Sequence, residues 1–182
     1  MKQSSKALIV ATMFQINPDR VYPTLLASKA IVRFQDCDPL RHLNYAKFFD
    51  YYFNAREDQI LQNYALTSAD FFQEYQAGWV AYNHNISYIK SVFVAEIVWI
   101  FSQVIYYDET TIVTEFYMTD IEQKVLKNLL WSTSKYIDVK TGKTIPHHDK
   151  VKQLLELITQ ESVNYTTLTK QERIRQIKST LK

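Results

Sequence analysis

Glycine is almost missing from this chain. Only two of 182 residues are Gly. No GxGxxG and no GxxxxGK[ST] occurs, so the glycine-rich phosphate loops of dinucleotide- and nucleotide-binding folds are excluded. Cysteine is reduced to a single residue, Cys37. No internal disulfide can form, and nothing calls for an oxidising compartment. Charge of one sign is also lacking: 21 Lys and Arg stand against 19 Asp and Glu. Without a clustered basic face there is no reason to expect nucleic acid as a partner. The locally basic tail "KQERIRQIKSTLK" reads as a solvated helix. No run approaches the ~20 apolar residues of a membrane helix. The apolar stretch Ala7 to Phe14 follows a lysine-containing start, but no small-x-small cleavage site precedes Gln15. The expectation is a cytoplasmic protein without a membrane partner.

What the chain does have is ring area. Aromatics make up 14% and hydrophobic residues 47%, with 13 Tyr. A length of 182 residues suits one domain with a sizeable core. No repeat, low-complexity run or Pro/Gly-rich linker divides it. Residues 27–36, "ASKAIVRFQD", read as a strand. Asn44 to about Tyr64 reads as a long helix with Asn44 as N-cap, because Tyr45, Phe48, Phe49, Tyr52, Phe53 and Ile60 recur at helical spacing. Ser68 to Gly78 reads as a short helix stopped by Gly78. Strand-like runs follow at Trp79–Val92, Glu96–Asp108, Thr110–Ile121 and Leu126–Val139, rich in β-branched and aromatic residues. Tyr107 to Thr110 suits a hairpin, and Lys140-Thr141-Gly142-Lys143 a turn. "HDKVKQLLELITQ" and "TKQERIRQIKSTL" read as helices, the second with capping-box spacing between Thr169 and Glu172. Helices early and strands late predict an α+β fold: an antiparallel sheet of about five strands around one long helix.

Chemistry concentrates in "FQDCDPLRHLNYAKFFDYYFNAR", Phe34 to Arg56. A carboxylate at a strand end facing a helix N-terminus can act as base or nucleophile, and the first helical N–H groups can stabilise an oxyanion. Asp38 is placed for the first role, a turn carboxylate before Pro39 being the alternative. Asp36 reads as structural. His42 lines the site or polarises a carbonyl, and Asn44 orients water or caps. Cys37 is a poor nucleophile, since adjacent carboxylates disfavour its thiolate. His84 reads as a core or pocket-wall residue. His147-His148-Asp149 lacks further ligands at convincing spacing, so no metal is expected.

The same segment resembles the hotdog-fold acyl-CoA thioesterases, in particular the 4-hydroxybenzoyl-CoA thioesterase family. The shared pattern is Asp36-Cys37-Asp38, His42-Leu43-Asn44 and Phe48 to Arg56, then "SYIKSVFVAE" from Ser87 to Glu96, and the ending with Gly142 and Pro146. It spans roughly residues 27–160. Four positions depart from it. Arg41 stands for the glycine before the histidine, Tyr45 for a second asparagine, and Ser91 and Ala95 for the proline and glycine of the later strand motif.

The resemblance implies a hotdog domain over 26–160, an N-terminal extension over 1–25 and a C-terminal helical tail over 161–182. It implies hydrolysis of an acyl-CoA or acyl-carrier thioester without a cofactor. Asp38 would be the acid group, and the backbone N–H near Tyr45 the oxyanion donor. Arg41 would either narrow the site or pair with a substrate anion, and Lys90, Lys124 and Lys127 are candidate partners for CoA phosphates. It further implies a homodimer or a dimer of dimers, because a sheet around one helix leaves an unpaired edge. Two other readings stand beside it. One is a hotdog hydratase or dehydratase, for which the histidine is one residue late. The other is a non-catalytic acyl-ligand binding protein.

Overall fold

A computed structural model describes residues 15–181. The apolar run Ala7 to Phe14, with most of the N-terminal extension, lies outside the described residues.

Five strands form one antiparallel sheet in the order β1-β3-β4-β5-β2. They are β1 (Leu26–Ile31), β2 (Ala77–Tyr88), β3 (Ile97–Tyr107), β4 (Thr111–Asp120) and β5 (Leu126–Asp138). The helices are α1 (Phe48–Tyr64), α2 (Ser68–Tyr75), α3 (Asp149–Ile158) and α4 (Lys170–Thr180). The three central strands follow the sequence expectation to within a residue or two, as their β-branched and aromatic runs dictate.

Period-two alternation splits those strands between two cores. Ile100, Phe116, Met118 and Leu130 face α1, with Phe48, Tyr52 and Ala55 opposite them. Phe101, Tyr117 and Leu129 point the other way and are covered by Ile174 and Ile177 of α4. Both faces are thus buried, and β4 is closed to water along nearly its whole length. Beyond the C-terminal end of α1, Tyr64, Phe71, Tyr136, Leu154 and Leu155 form a further cluster with α2 and α3.

An internal ion pair fixes α4 on the sheet. Glu115 has no exposed surface. Arg173 donates Nε to both its oxygens at 3.1 and 3.0 Å and Nη2 at 2.8 Å. Gln103 Nε2 and Trp131 Nε1 complete the shell at 2.7 and 2.8 Å. A buried carboxylate is tolerable only with such saturation.

Three local expectations are corrected. The first strand ends at Ile31, and Phe34–Asp36 turns as a 3-10 helix. The long helix starts at Phe48, with Lys47 and not Asn44 at its cap position. The short helix closes at Gln76 in the left-handed region (φ 51°), while Gly78 lies inside β2.

The last correction has a wider cause. With so few glycines, left-handed positions fall to other residues: Arg41, Ala65, Gln76, Ala95 and Gln123 all have φ between 51° and 66°. Such backbone is strained for any residue carrying a Cβ.

Candidate active site

The loop between β1 and α1 winds around Asp38. Its Oδ1 accepts from the Leu40 N–H at 2.9 Å and the His42 N–H at 3.0 Å. The backbone closes the same loop: Asp38 N–H donates to His42 O at 2.8 Å, and Arg41 N–H to Asp38 O at 2.9 Å. Arg41, at φ 66°, supplies the left-handed step that lets the chain turn this tightly. Asp38 therefore is a turn carboxylate through one oxygen. Its Oδ2 accepts no hydrogen bond among the described residues.

The loop is clasped by the segment after β2. Leu43 N–H donates to Val92 O at 2.8 Å, and Val94 N–H to Arg41 O at 3.0 Å. Glu96 braces that segment, accepting from the Phe93 N–H at 2.9 Å and pairing with Lys127 Nζ at 2.6 Å. Lys127 also donates to Ser91 O. The His42 ring stands edge-on to Phe93, with centroids 4.9 Å apart.

The approach to α1 is a turn, not helix. Asn44 Oδ1 accepts from Ala46 N–H at 3.0 Å, and Asn44 O from Lys47 N–H at 2.9 Å. Asn44 thus caps the turn that leads into the helix. The Tyr45 N–H donates to no acceptor among the described residues, and the Tyr45 side chain is exposed.

These parts meet in a cleft of about 320 Å³ lined by Asp38, His42, Tyr45, Phe48, Tyr88 and Lys90. Of the residues singled out by sequence, Asp38, His42, Tyr45 and Lys90 are brought together there. Arg41 is exposed beside it. Asn44 is not in the lining. Lys124 lies in the β4–β5 turn, outside the cleft lining, and the Lys127 ammonium is taken up by Glu96.

Asp36 is separated from Asp38, because the strand that would align them has ended. Its Oδ2 accepts from Tyr51 OH at 2.9 Å, and Lys47 Nζ lies 4.0 Å from its Oδ1. Burial, together with this carboxylate, pushes the Tyr51 hydroxyl up to about 12. Cys37 donates to Arg33 O. Its thiol is pushed up chiefly by burial, then by Asp36 and Asp38, which keeps it from acting as a nucleophile.

Tyr88, in the Ser87–Glu96 strand motif, carries no role that the sequence reveals. Its hydroxyl donates to Tyr45 O at 3.0 Å, and its ring meets Phe48 edge-on at 5.4 Å. It ties the end of β2 to the turn carrying the free Tyr45 N–H. Only the three-dimensional proximity shows this.

The other histidines lie elsewhere. His147 is buried, receives Trp79 Nε1–H on Nε2 at 3.0 Å, and places Nδ1 3.1 Å from Asp108 O. His84 lies on the exposed part of β2, against the rings of Phe49 and Phe53.

β2 is a sheet edge, and residues 81–85 on it are exposed. No helix among the described residues is long and apolar enough to cross a membrane.

Known structures share this architecture. YbaW, a probable thioesterase from Escherichia coli, superposes with a TM-score of 0.65 at 21% identity, covering 74% of this chain and 99% of that one. A DHNA-CoA thioesterase from Staphylococcus aureus gives 0.67 at 17% identity, over 80% and 96% of the two chains. A hypothetical protein from Staphylococcus aureus, solved in complex with CoA, gives 0.68 at 11%, over 84% and 94%. No curated protein matches by sequence. The thioesterase-like superfamily matches residues 32–155, from the last turn before the Asp38 loop through most of α3. With that match over two thirds of its length and the hotdog architecture around it, the chain belongs to the thioesterase-like superfamily.

Proposed function

We propose that this protein hydrolyses an acyl-CoA or acyl-carrier thioester in the cleft at the start of α1. The observation that carries the proposal is the pairing of an uncommitted Asp38 oxygen with an undonated Tyr45 N–H in one cleft. The thioester carbonyl oxygen sits at the Tyr45 N–H, where the dipole of the 17-residue α1 adds to the stabilisation of negative charge. Asp38 either removes a proton from water as water attacks the carbonyl carbon, or attacks that carbon itself. In the first route the tetrahedral intermediate collapses by expelling the thiolate, which is then protonated. In the second, an anhydride forms with loss of the thiolate and is then hydrolysed. His42 and Tyr88 hold the walls, and Tyr88, bonded to Tyr45 O, steadies the turn that carries the Tyr45 N–H.

Lys90 is exposed on the cleft wall and is the best placed of the three lysines for a CoA phosphate. A structure of the same fold holds CoA, which supports this carrier. Lys127 serves instead as the brace of the loop that clasps the site. The exposed β2 edge is where a second copy adds its own β2, giving a homodimer that narrows the open cleft.

The test is free-thiol release from acyl-CoAs of short, long and aromatic acyl groups, with wild type beside Asp38→Asn. The amide oxygen of Asn still accepts from Leu40 and His42, so the loop persists while the charge is gone. A wild-type rate that falls by about 10²-fold or more in the variant supports the proposal, as expected for loss of an acid–base group. Equal rates in both proteins refute the role of Asp38.

A further inference from the structure

A second chamber lies deeper in the fold. It has a volume of about 190 Å³ and lies among α1, α3 and the sheet, walled largely by rings and aliphatic side chains such as Phe53, Trp79, Phe116 and Leu154. A cavity of ~150 Å³ holds a benzene ring, so this one accommodates a single ring or a short chain.

One of its walls carries a cation. Arg56 lies on the sheet-facing side of α1, two turns beyond Phe48, and lines the chamber together with Ser132. Its Nη1 donates to Ser102 Oγ at 3.1 Å. The Tyr64 hydroxyl is its other polar neighbour, and that hydroxyl itself donates to Pro23 O. Ser102 Oγ is committed in turn to Gln59 Oε1. None of the ion pairs among the described residues includes Arg56.

A guanidinium has five N–H donors and stays charged, so the bond to Ser102 leaves most of its donors open to water or a ligand. Burial lowers its pKa from the ordinary value, with Tyr64 acting against that. Interior charges are ordinarily paired, as Arg173 is with Glu115 in this same protein. A half-buried arginine without a carboxylate, facing an apolar void, lacks its counter-ion.

We infer that this chamber is a binding site for a small amphiphilic carboxylate: an apolar body of one aromatic ring or a short acyl chain, its carboxylate on Arg56. The entrance lies between α1 and α2. Ile60, Leu66, Phe71 and Trp79 wall both the chamber and an adjoining cavity of about 290 Å³ that is also lined by Thr67 and Ser68. The site is separate from the Asp38 cleft. Arg56 stands eight residues past Phe48, about 12 Å along the helix axis, and the two linings have no residue in common. Thioester hydrolysis releases a molecule of this class, yet binding here does not depend on turnover.

Calorimetric titration of the full chain with benzoate, hexanoate and octanoate, beside benzyl alcohol, 1-hexanol and 1-octanol, tests the proposal. The wild type binds at least one acid, at least ~10-fold more tightly than the alcohol of the same skeleton. Arg56→Met removes that preference and weakens the acid by ~10-fold or more, and Arg56→Lys restores part of it. The unliganded Arg56→Met protein melts at a higher temperature than wild type, because an unpaired, half-buried charge has been replaced by an apolar side chain; a purely structural arginine would give the opposite shift. No acid binding up to millimolar concentration, equal binding of acid and alcohol, or unchanged acid affinity in Arg56→Met would each overturn the proposal. The comparison of acid with alcohol uses the wild type alone and stands even if a variant does not fold.

Discussion

Replacing Arg173 with Met leaves a carboxylate stranded inside the protein, and the consequence can be worked from the contacts. Glu115 is fully buried and accepts three hydrogen bonds from Arg173, one from Gln103 and one from Trp131. The substitution removes the three charge-assisted bonds and keeps the two neutral donors. Breaking a buried pair from one side costs about 3–5 kcal/mol, against a total stability for a domain of about 5–15 kcal/mol. Methionine retains much of the arginine's apolar stem, so contacts with the sheet are largely kept. Urea unfolding followed by tryptophan fluorescence should show the midpoint falling at nearly unchanged slope. The double variant Glu115→Gln with Arg173→Met removes the charge as well as its partner and should recover at least half the loss. A loss below ~1 kcal/mol in the single variant would refute the reasoning. It would mean that Glu115 reaches water, hence that α4 does not cover this face in solution.

Three further outcomes are expected. Ala95→Gly should stabilise by about 0.5–1 kcal/mol, because relief of a left-handed backbone (φ 64°) exceeds the extra entropy of glycine in the unfolded chain; a lower urea midpoint would count against it. Tyr88→Phe keeps the ring on Phe48 but loses the hydrogen bond to Tyr45 O. Stability should fall by only about 1 kcal/mol while kcat falls more than KM changes, as steady-state kinetics on a responsive thioester would show. His147 is held neutral, burial lowering its pKa below the ordinary value. Its contribution to stability is therefore present above pH ~6.5 and lost as pH falls from there through the folded-state value. His147→Gln should flatten the dependence of Tm on pH between 7.5 and 5, and an unchanged slope would exclude His147 as its source.

The strands were legible because their signal is local. Runs of Val, Ile, Tyr and Phe bounded by Asp108-Glu109 or Thr141-Gly142 leave little choice, and β3, β4 and β5 fall where expected. The capping box of α4 is likewise present in three dimensions, Thr169 accepting from the Glu172 N–H while Glu172 returns to the Thr169 N–H. The helix starts and stops were less legible. Asn44 satisfies a turn as readily as a helix, and the turn wins because Leu43 must reach back to Val92. Gln76 ends α2 in place of Gly78, since β2 has already begun at Ala77.

At the site, the order Asp38, His42, Tyr45 along the chain is enough to suggest a carboxylate facing a helix start, because all three lie within one loop. The sequence by itself determined the α+β layout and pointed to Asp38 as the acid to test, both of which depend on residues close in the chain. Only the tertiary structure decided that one Asp38 oxygen is spent on its own turn. It also parted Asp36 from Asp38, set Lys127 against Glu96, and left Arg56 without a counter-ion beside a cavity. The last two are outcomes of pairing between segments tens of residues apart. Their energies depend on which groups lose water together, and no local pattern records that.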